Sequence, residues 1–384
     1  MTTVVGLGWP SSPEIDGTGT PTGLGWPGSF GDVPRGTSVP TPVIAPATVV
    51  APSPSAGPTV AAETPKSAES PGRAESPESS LDPGSRSGGR PPAQRRPPVD
   101  SREPFVRPAG TRVLAVANQK GGVGKTTSVV NLASALARHG QHVLVIDLDP
   151  QGNASTALGL EHPPGSPSIY DALIGGVRLA ELIQVSAESP LLQVIPATID
   201  LAGAEIELVP MVARETRLRR ALRTHLGSPG QAAPDYVLID CPPSLGLITL
   251  NALVAARELL VPIQCEYYAL EGLGQLVQTV DMVTQHLNDS LEITTILLTM
   301  YDARTRLSGQ VADEVRTHFG DRVLPTVIPR SVRISEAPSY QQSVLAFDPT
   351  SSGALSYVQA ARELAASRHG QPRPRDDAGA AVSR

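Results

Sequence analysis

Lysine is almost missing from this chain: Lys66, Lys120 and Lys125 stand against 28 arginines in 384 residues. Cysteine is as scarce. Cys241 and Cys265 alone give no disulfide framework and suit a reducing compartment. Nor is there an excess of positive charge. The formal net charge of −6 excludes a general polyanion binder, so contact with nucleic acid has to come from a local patch. The N-terminus has no basic stretch leading into an apolar one, so no secretory signal is expected. No apolar run is long enough to span a bilayer. These absences predict a cytoplasmic protein without membrane contact.

Proline is abundant and unevenly placed: 21 of 39 lie in the first 108 residues, mixed with Gly, Ser, Thr and Ala. Such a segment cannot bury enough apolar surface to offset the entropy of ordering it. Residues 1–108 are therefore expected to be a disordered extension, 109–368 one α/β domain, and 369–384 a loose tail. Within the extension Gly6-Leu7-Gly8-Trp9-Pro10 recurs as Gly23-Leu24-Gly25-Trp26-Pro27, and the repeats hold both tryptophans. Two readings stand: a chance duplication in low-complexity sequence, or paired motifs in residues 1–30 that dock a polar or scaffold protein through exposed Trp.

From Arg112 onward apolar runs alternate with helix-period stretches. Val113–Ala117, His142–Ile146, Leu192–Ile195, Tyr236–Ile239, Leu259–Ile263, Ile293–Leu298 and Val323–Ile328 read as strands. Lys125–His139, Arg214–His225, Leu245–Ala256, Gly272–His286, Gly309–Phe319 and Leu355–Ala366 read as helices. The alternation predicts a mainly parallel twisted sheet with helices on both faces. Ligands of such sheets sit beyond the carboxyl ends of the strands, where every chemical motif in this chain falls.

The first motif, between the first strand and first helix, is Asn118-Gln119-Lys120-Gly121-Gly122-Val123-Gly124-Lys125-Thr126-Thr127. Glycines let successive backbone N–H groups curl around a phosphate, and the helix N-terminus adds partial positive charge. Lys125 would reach the β- and γ-phosphates of ATP and the Thr126 hydroxyl would ligate Mg²⁺. The general pattern wants Gly where this chain has Gln119, so the loop is a variant. Two of three lysines fall inside it, where Arg cannot replace a compact point charge. The second motif, Asp147-Leu148-Asp149-Pro150-Gln151-Gly152-Asn153, ends the next strand. Two carboxylates one residue apart are expected to point to one side, to hold Mg²⁺ or orient a water. The third, Tyr236-Val237-Leu238-Ile239-Asp240-Cys241-Pro242-Pro243-Ser244, offers Asp240 to Mg²⁺ directly or through water.

These motifs resemble the ParA/Soj family of chromosome- and plasmid-partition ATPases, P-loop NTPases of the deviant Walker A class that also holds MinD and the nitrogenase iron protein. The matching stretches spread across nearly all of 112–366. The resemblance implies that Lys120 is the signature lysine reaching the other subunit's ATP across a twofold interface. It places Gly121 at the close approach of the subunits, makes Asp149 the carboxylate needed for hydrolysis, and makes Asp240 the Walker B residue. Lys120, Gly121, Gly122, Val123, Gly124, Lys125, Thr126 and Thr127 would cradle the nucleotide, with Pro329 and Ser331 near the adenine. Family members usually carry Asn in place of Ser331. Arg304 and Arg333 match positions that contact double-stranded DNA non-specifically, and six arginines lie between 301 and 340. Implied partners are a second copy of the chain, DNA of the nucleoid and a ParB-like protein that stimulates hydrolysis.

Competing expectations remain open on sequence alone. A MinD-like membrane ATPase would need an amphipathic C-terminal helix, which the tail with Pro372, Pro374 and two Asp does not offer. Another cargo-positioning ATPase of the class is not excluded. A metabolic P-loop kinase would need a second substrate site that cannot be read here. The two cysteines invite comparison with the iron protein's cluster ligands but read as small apolar fillers.

Overall fold

The structure is a computed structural model and describes residues 103–230, 232–266 and 269–367. The Gly-Leu-Gly-Trp-Pro repeats, nearly all of the extension and the tail lie outside the described residues.

Seven strands form one sheet: β1 Arg112–Val116, β2 Val143–Asp147, β3 Gln184–Val185, β4 Leu192–Ile195, β5 Tyr236–Asp240, β6 Glu258–Gln264 and β7 Glu292–Thr299. Their order is β3-β4-β2-β5-β1-β6-β7. All neighbours are parallel except the short edge pair β3–β4. The interior strands are buried on both faces, as near-continuous runs such as Val-Leu-Val-Ile require.

Helices cover both faces. On one side lie α1 Lys125–Arg138, α2 Asn153–Ala157, α9 Val332–Glu336, α10 Val344–Phe347 and α11 Ser352–Ala366. On the other lie α3 Leu179–Leu182, α4 Leu201–Leu208, α5 Arg217–Leu226, α6 Leu247–Ala255, α7 Ala269–His286 and α8 Arg306–Phe319. Alternate strand residues feed the two cores: Leu114 and Val116 face α1, while Val113 and Ala115 face α6. Both α8 and α11 begin at a hydroxyl cap, from Thr305 to the Ser308 N–H and from Ser351 to the Ala354 N–H, worth about 1 kcal/mol each. No helix among the described residues is long and apolar enough to cross a membrane.

Two expectations need revision. Val323–Ile328 forms no strand; it runs beside β7 and makes a single isolated bridge, Ile296 to Val323. Pro325 removes a donor from the would-be ladder, and a continuous seam cannot form there. Residues 103–108, assigned by composition to the extension, lie against the domain. Phe105 is buried and stacked on His139 with centroids 4.1 Å apart. Its N–H donates to His139 O at 3.0 Å and its carbonyl accepts from Gln141 Nε2 at 2.8 Å. Pro104 and Pro108 masked this anchor, because proline content alone does not report what one aromatic can bury.

Candidate functional site: a glycine loop facing buried carboxylates

The carboxyl ends of β1, β2 and β5 meet at one place. Val116 pairs in register with Asp240, and Asp147 pairs with Asp240. The three motifs, far apart in sequence, therefore converge on adjacent strand ends.

The loop after β1 is held from several sides. Asn118 Nδ2 donates to Pro262 O at 2.8 Å, and Asn118 Oδ1 accepts from the Lys120 N–H at 3.0 Å. Thr299, at the end of β7, donates its hydroxyl to Val123 O at 2.8 Å. Gly122 and Gly124 adopt φ of 75° and 87°, a region in which a Cβ is strained. Gly121 has space: an added Cβ would lie 3.9 Å from Pro243 Cβ. Its glycine answers to no crowding within the chain.

Lys125 opens α1 and is buried, its ammonium 3.2 Å from Lys120 O. Burial lowers its pKa, while the charges of Asp240, Cys241 and Asp149 oppose the shift. Lys120 behaves differently. Its side chain is one-third exposed, with Nζ 3.5 Å from Glu266.

The carboxylates divide into two kinds. Asp147 is fully buried and accepts three hydrogen bonds, from Ser155 N–H (2.9 Å), Ser155 Oγ (2.7 Å) and Asp149 N–H (3.1 Å). Burial still pushes its carboxyl up to about 6. Asp147 therefore pins the β2–α2 turn, while its charge and that of Asp149 both bear on Asp240. Asp149 lies in the turn itself, accepting from the Gln151 N–H at 3.0 Å. Asp240 is the opposite case: buried, with neither carboxylate oxygen given a hydrogen-bond partner. Burial and the neighbouring Asp147 raise its pKa well above the carboxylate range, and Thr126 and Lys125 offset part of that.

A buried carboxylate with free lone pairs beside a threonine hydroxyl is a donor set for a hard divalent cation. Magnesium takes one or two carboxylates plus phosphate oxygens rather than an all-protein cage. Among the described residues no cluster of three or more His, Cys, Asp or Glu could hold a metal alone. The residues present fit Mg²⁺ on Asp240 and Thr126. Both cysteines are free and buried in the apolar core; burial raises both thiols, Cys265 to about 11, as befits fillers.

Beside Thr126 and Thr127 opens a cavity of about 250 Å³, lined also by Asn153, Thr156, Pro338 and Gln342. Pro329 and Ser331 do not line it. They lie where β7's extension ends: Pro329 bridges to Tyr301 and Ser331 precedes α9. Sequence reasoning gave no role to Asn153 and missed Thr156 and Gln342, because α2 and the turn Ala337–Tyr340 meet only in three dimensions. Asn118 stands in the first motif but was given no role there, and Thr299 reaches the loop only in three dimensions.

Of the arginines expected to meet DNA, Arg304 is 88% exposed and forms a two-pronged pair with Asp302 at 2.9 and 2.7 Å. The pairing holds the Asp302 carboxyl at about 2. Arg333 lies 3.2 Å from Glu336 and 3.5 Å from Asp348, over the Phe347 ring. Arg316 and Arg322 also face carboxylates. Each of these four arginines is thus partnered by a carboxylate of the chain itself.

A family model described as an AAA domain matches residues 111–293. The sporulation initiation inhibitor protein Soj of Bacillus subtilis is 52% identical over 255 residues, 66% of this chain and 98% of that protein. The chromosome partitioning protein ParA of Myxococcus xanthus is 50% identical over 253 residues, 66% of this chain and 87% of that one. Among solved structures, cobyrinic acid a,c-diamide synthase from Mycobacterium smegmatis with bound ADP and magnesium is 40% identical. It covers 65% of this chain and 92% of its own, with a TM-score of 0.55. With half of the aligned residues shared with proteins of that kind over nearly their full length, the chain belongs to the Soj/ParA family of chromosome-partitioning ATPases.

Proposed function

We propose that this chain is an ATP-gated DNA-partition switch: the ATP-bound dimer holds DNA without sequence preference, and a ParB-like partner triggers hydrolysis and release. Lys125 and the loop N–H groups hold the triphosphate, and Thr126 with Asp240 hold its cation. Bound magnesium supplies charge neutralisation at the phosphate oxygens. Asp149 orients the attacking water and water is the phosphoryl acceptor. Transfer breaks the bond to the β–γ bridging oxygen and yields ADP and phosphate.

The observation that carries the switch is the partly exposed Lys120, paired with Glu266. A lysine within a phosphate loop whose ammonium is paired, among the described residues, only with a half-exposed Glu266 can exchange that carboxylate for a phosphate elsewhere. Two apposed triphosphates repel, and a lysine from each protomer offsets that repulsion while the γ-phosphate is present. Loss of the γ-phosphate removes the charge that the lysines bridge. Gly121, where an added Cβ would meet no close contact within the chain, suits the close approach of a second copy.

Arg304 and Arg333 would contact phosphates, which gives affinity without base readout. Gel shift on random-sequence DNA with ATP, ADP and no nucleotide tests this at several salt concentrations. Binding is expected with ATP alone. Four arginine contacts per dimer give a slope of log affinity against log salt of about −4. Arg333→Ala should lose DNA while keeping ATP-dependent dimerisation. Undiminished affinity in both Arg333→Ala and Arg304→Ala would remove the patch from the account.

A further inference from the structure

A second concave site lies on the α5 side of the sheet, away from the glycine loop. It is a cavity of about 390 Å³ between α5, α3 and the turn Asp171–Gly175. Its wall carries Arg178, Arg217, Arg220, Thr224 and His225, its floor includes Val177 and Leu179, and no acidic residue lines it. In a chain of net charge −6, three guanidinium residues around one hollow reverse the local sign.

The cations are not equivalent. Arg217 is tied to the carbonyls of Leu173 and Ile174, so it fixes the shape of the hollow and lends charge. Arg178 pairs with Glu181 on the exposed rim. Arg220 is exposed and has no partner among the described residues. Arg217, Arg220, Ala221, Thr224 and His225 recur at helical spacing, so one face of α5 forms the wall, with Ser228 just beyond its end. His225 is 7% exposed, and its Nδ1 has no hydrogen-bond partner, leaving unmet polar demand beside the hollow. Concavity, an apolar floor and convergent polar groups together are the features of a small-ligand site.

We propose that this cavity binds a small organic phosphate, with Arg220 gripping the phosphate and the apolar floor taking its carbon skeleton. A guanidinium fork matches phosphate geometry in two parallel hydrogen bonds. A cavity of this volume suits a small molecule. The site is separate from the nucleotide loop and does not depend on the function proposed above.

The test is isothermal titration calorimetry of the full chain with glycerol 3-phosphate, in the presence of saturating ADP and magnesium, with glycerol as the neutral probe. Saturable binding of glycerol 3-phosphate and none of glycerol is expected. Arg220→Ala should weaken it about tenfold or more, the loss of a charge-assisted hydrogen bond. Arg220 is exposed, so that variant does not threaten the fold. Lys125→Ala should leave this binding intact. His225 ring resonances, identified by His225→Gln, should move on saturation. Absence of saturable binding, equal affinity in Arg220→Ala, or loss of binding in Lys125→Ala would each overturn the proposal.

Discussion

At the scale of single residues, the site is defined by how each charge is satisfied. Asp147 spends its lone pairs on Ser155 and the Asp149 N–H, whereas Asp240 has none satisfied. The folded-state pKa of Asp240 is raised, so without a cation its effect on stability is benign below the ordinary carboxylate range. It becomes destabilising as pH rises through the raised value. Asp240→Asn should therefore stabilise the nucleotide-free protein by about 1–3 kcal/mol at pH 7.5, with the gain vanishing near pH 4, in urea denaturation. A gain of equal size at both pH values would show that charge is not its source. The same variant should lose Mg²⁺-dependent ATP hydrolysis. Arg304 offers a second residue-level test. On the proposed DNA contact, Asp302 would compete with phosphate for it, so Asp302→Asn should tighten ATP-dependent DNA binding several-fold in fluorescence anisotropy. Unchanged affinity would mean that the pair opens at no cost or that Arg304 does not meet DNA.

At the scale of elements, some strands and helices were legible and others were not, for physical reasons. β1, β2 and β5 read clearly because buried parallel strands are short, uninterrupted apolar runs, and each ended on a chemical motif. β3 has two residues, too few for any periodicity. α2, α9 and α10 have four or five residues each, and they exist because a core receives them. Val323–Ile328 has the apolar content of a strand, yet Pro325 denies it the ladder. Gln341 shows a local preference overridden by context: it ends the turn Ala337–Tyr340 at φ 56°, ψ 40°. A left-handed conformation is costly for a residue with Cβ, so Gln341→Gly should stabilise the protein by about 1 kcal/mol, measured as a rise in the urea midpoint at constant m-value. A fall would mean that the side chain holds the turn.

At the scale of the whole molecule, the sequence displayed the phosphate loop and the Asp240 strand because their residues are contiguous. It did not display how Asp147 and Asp149 divide their work, since both look alike in a line of letters and differ only in what Ser155 reaches. Nor did it display the nucleotide-side cavity or the hollow beside α5, which are built from elements distant in sequence. What unites the scales is one electrostatic claim: Lys120 serves a triphosphate that is not its own, so association follows the state of the γ-phosphate. The most direct test is sedimentation velocity of Asp149→Ala, which should hold ATP unhydrolysed, with Mg²⁺ and either ATP, ADP or no nucleotide. The account predicts a dimer with ATP alone, reverting to monomer when Lys120→Ala is added. One unchanging species under all three conditions, or an ATP dimer that survives Lys120→Ala, would contradict it.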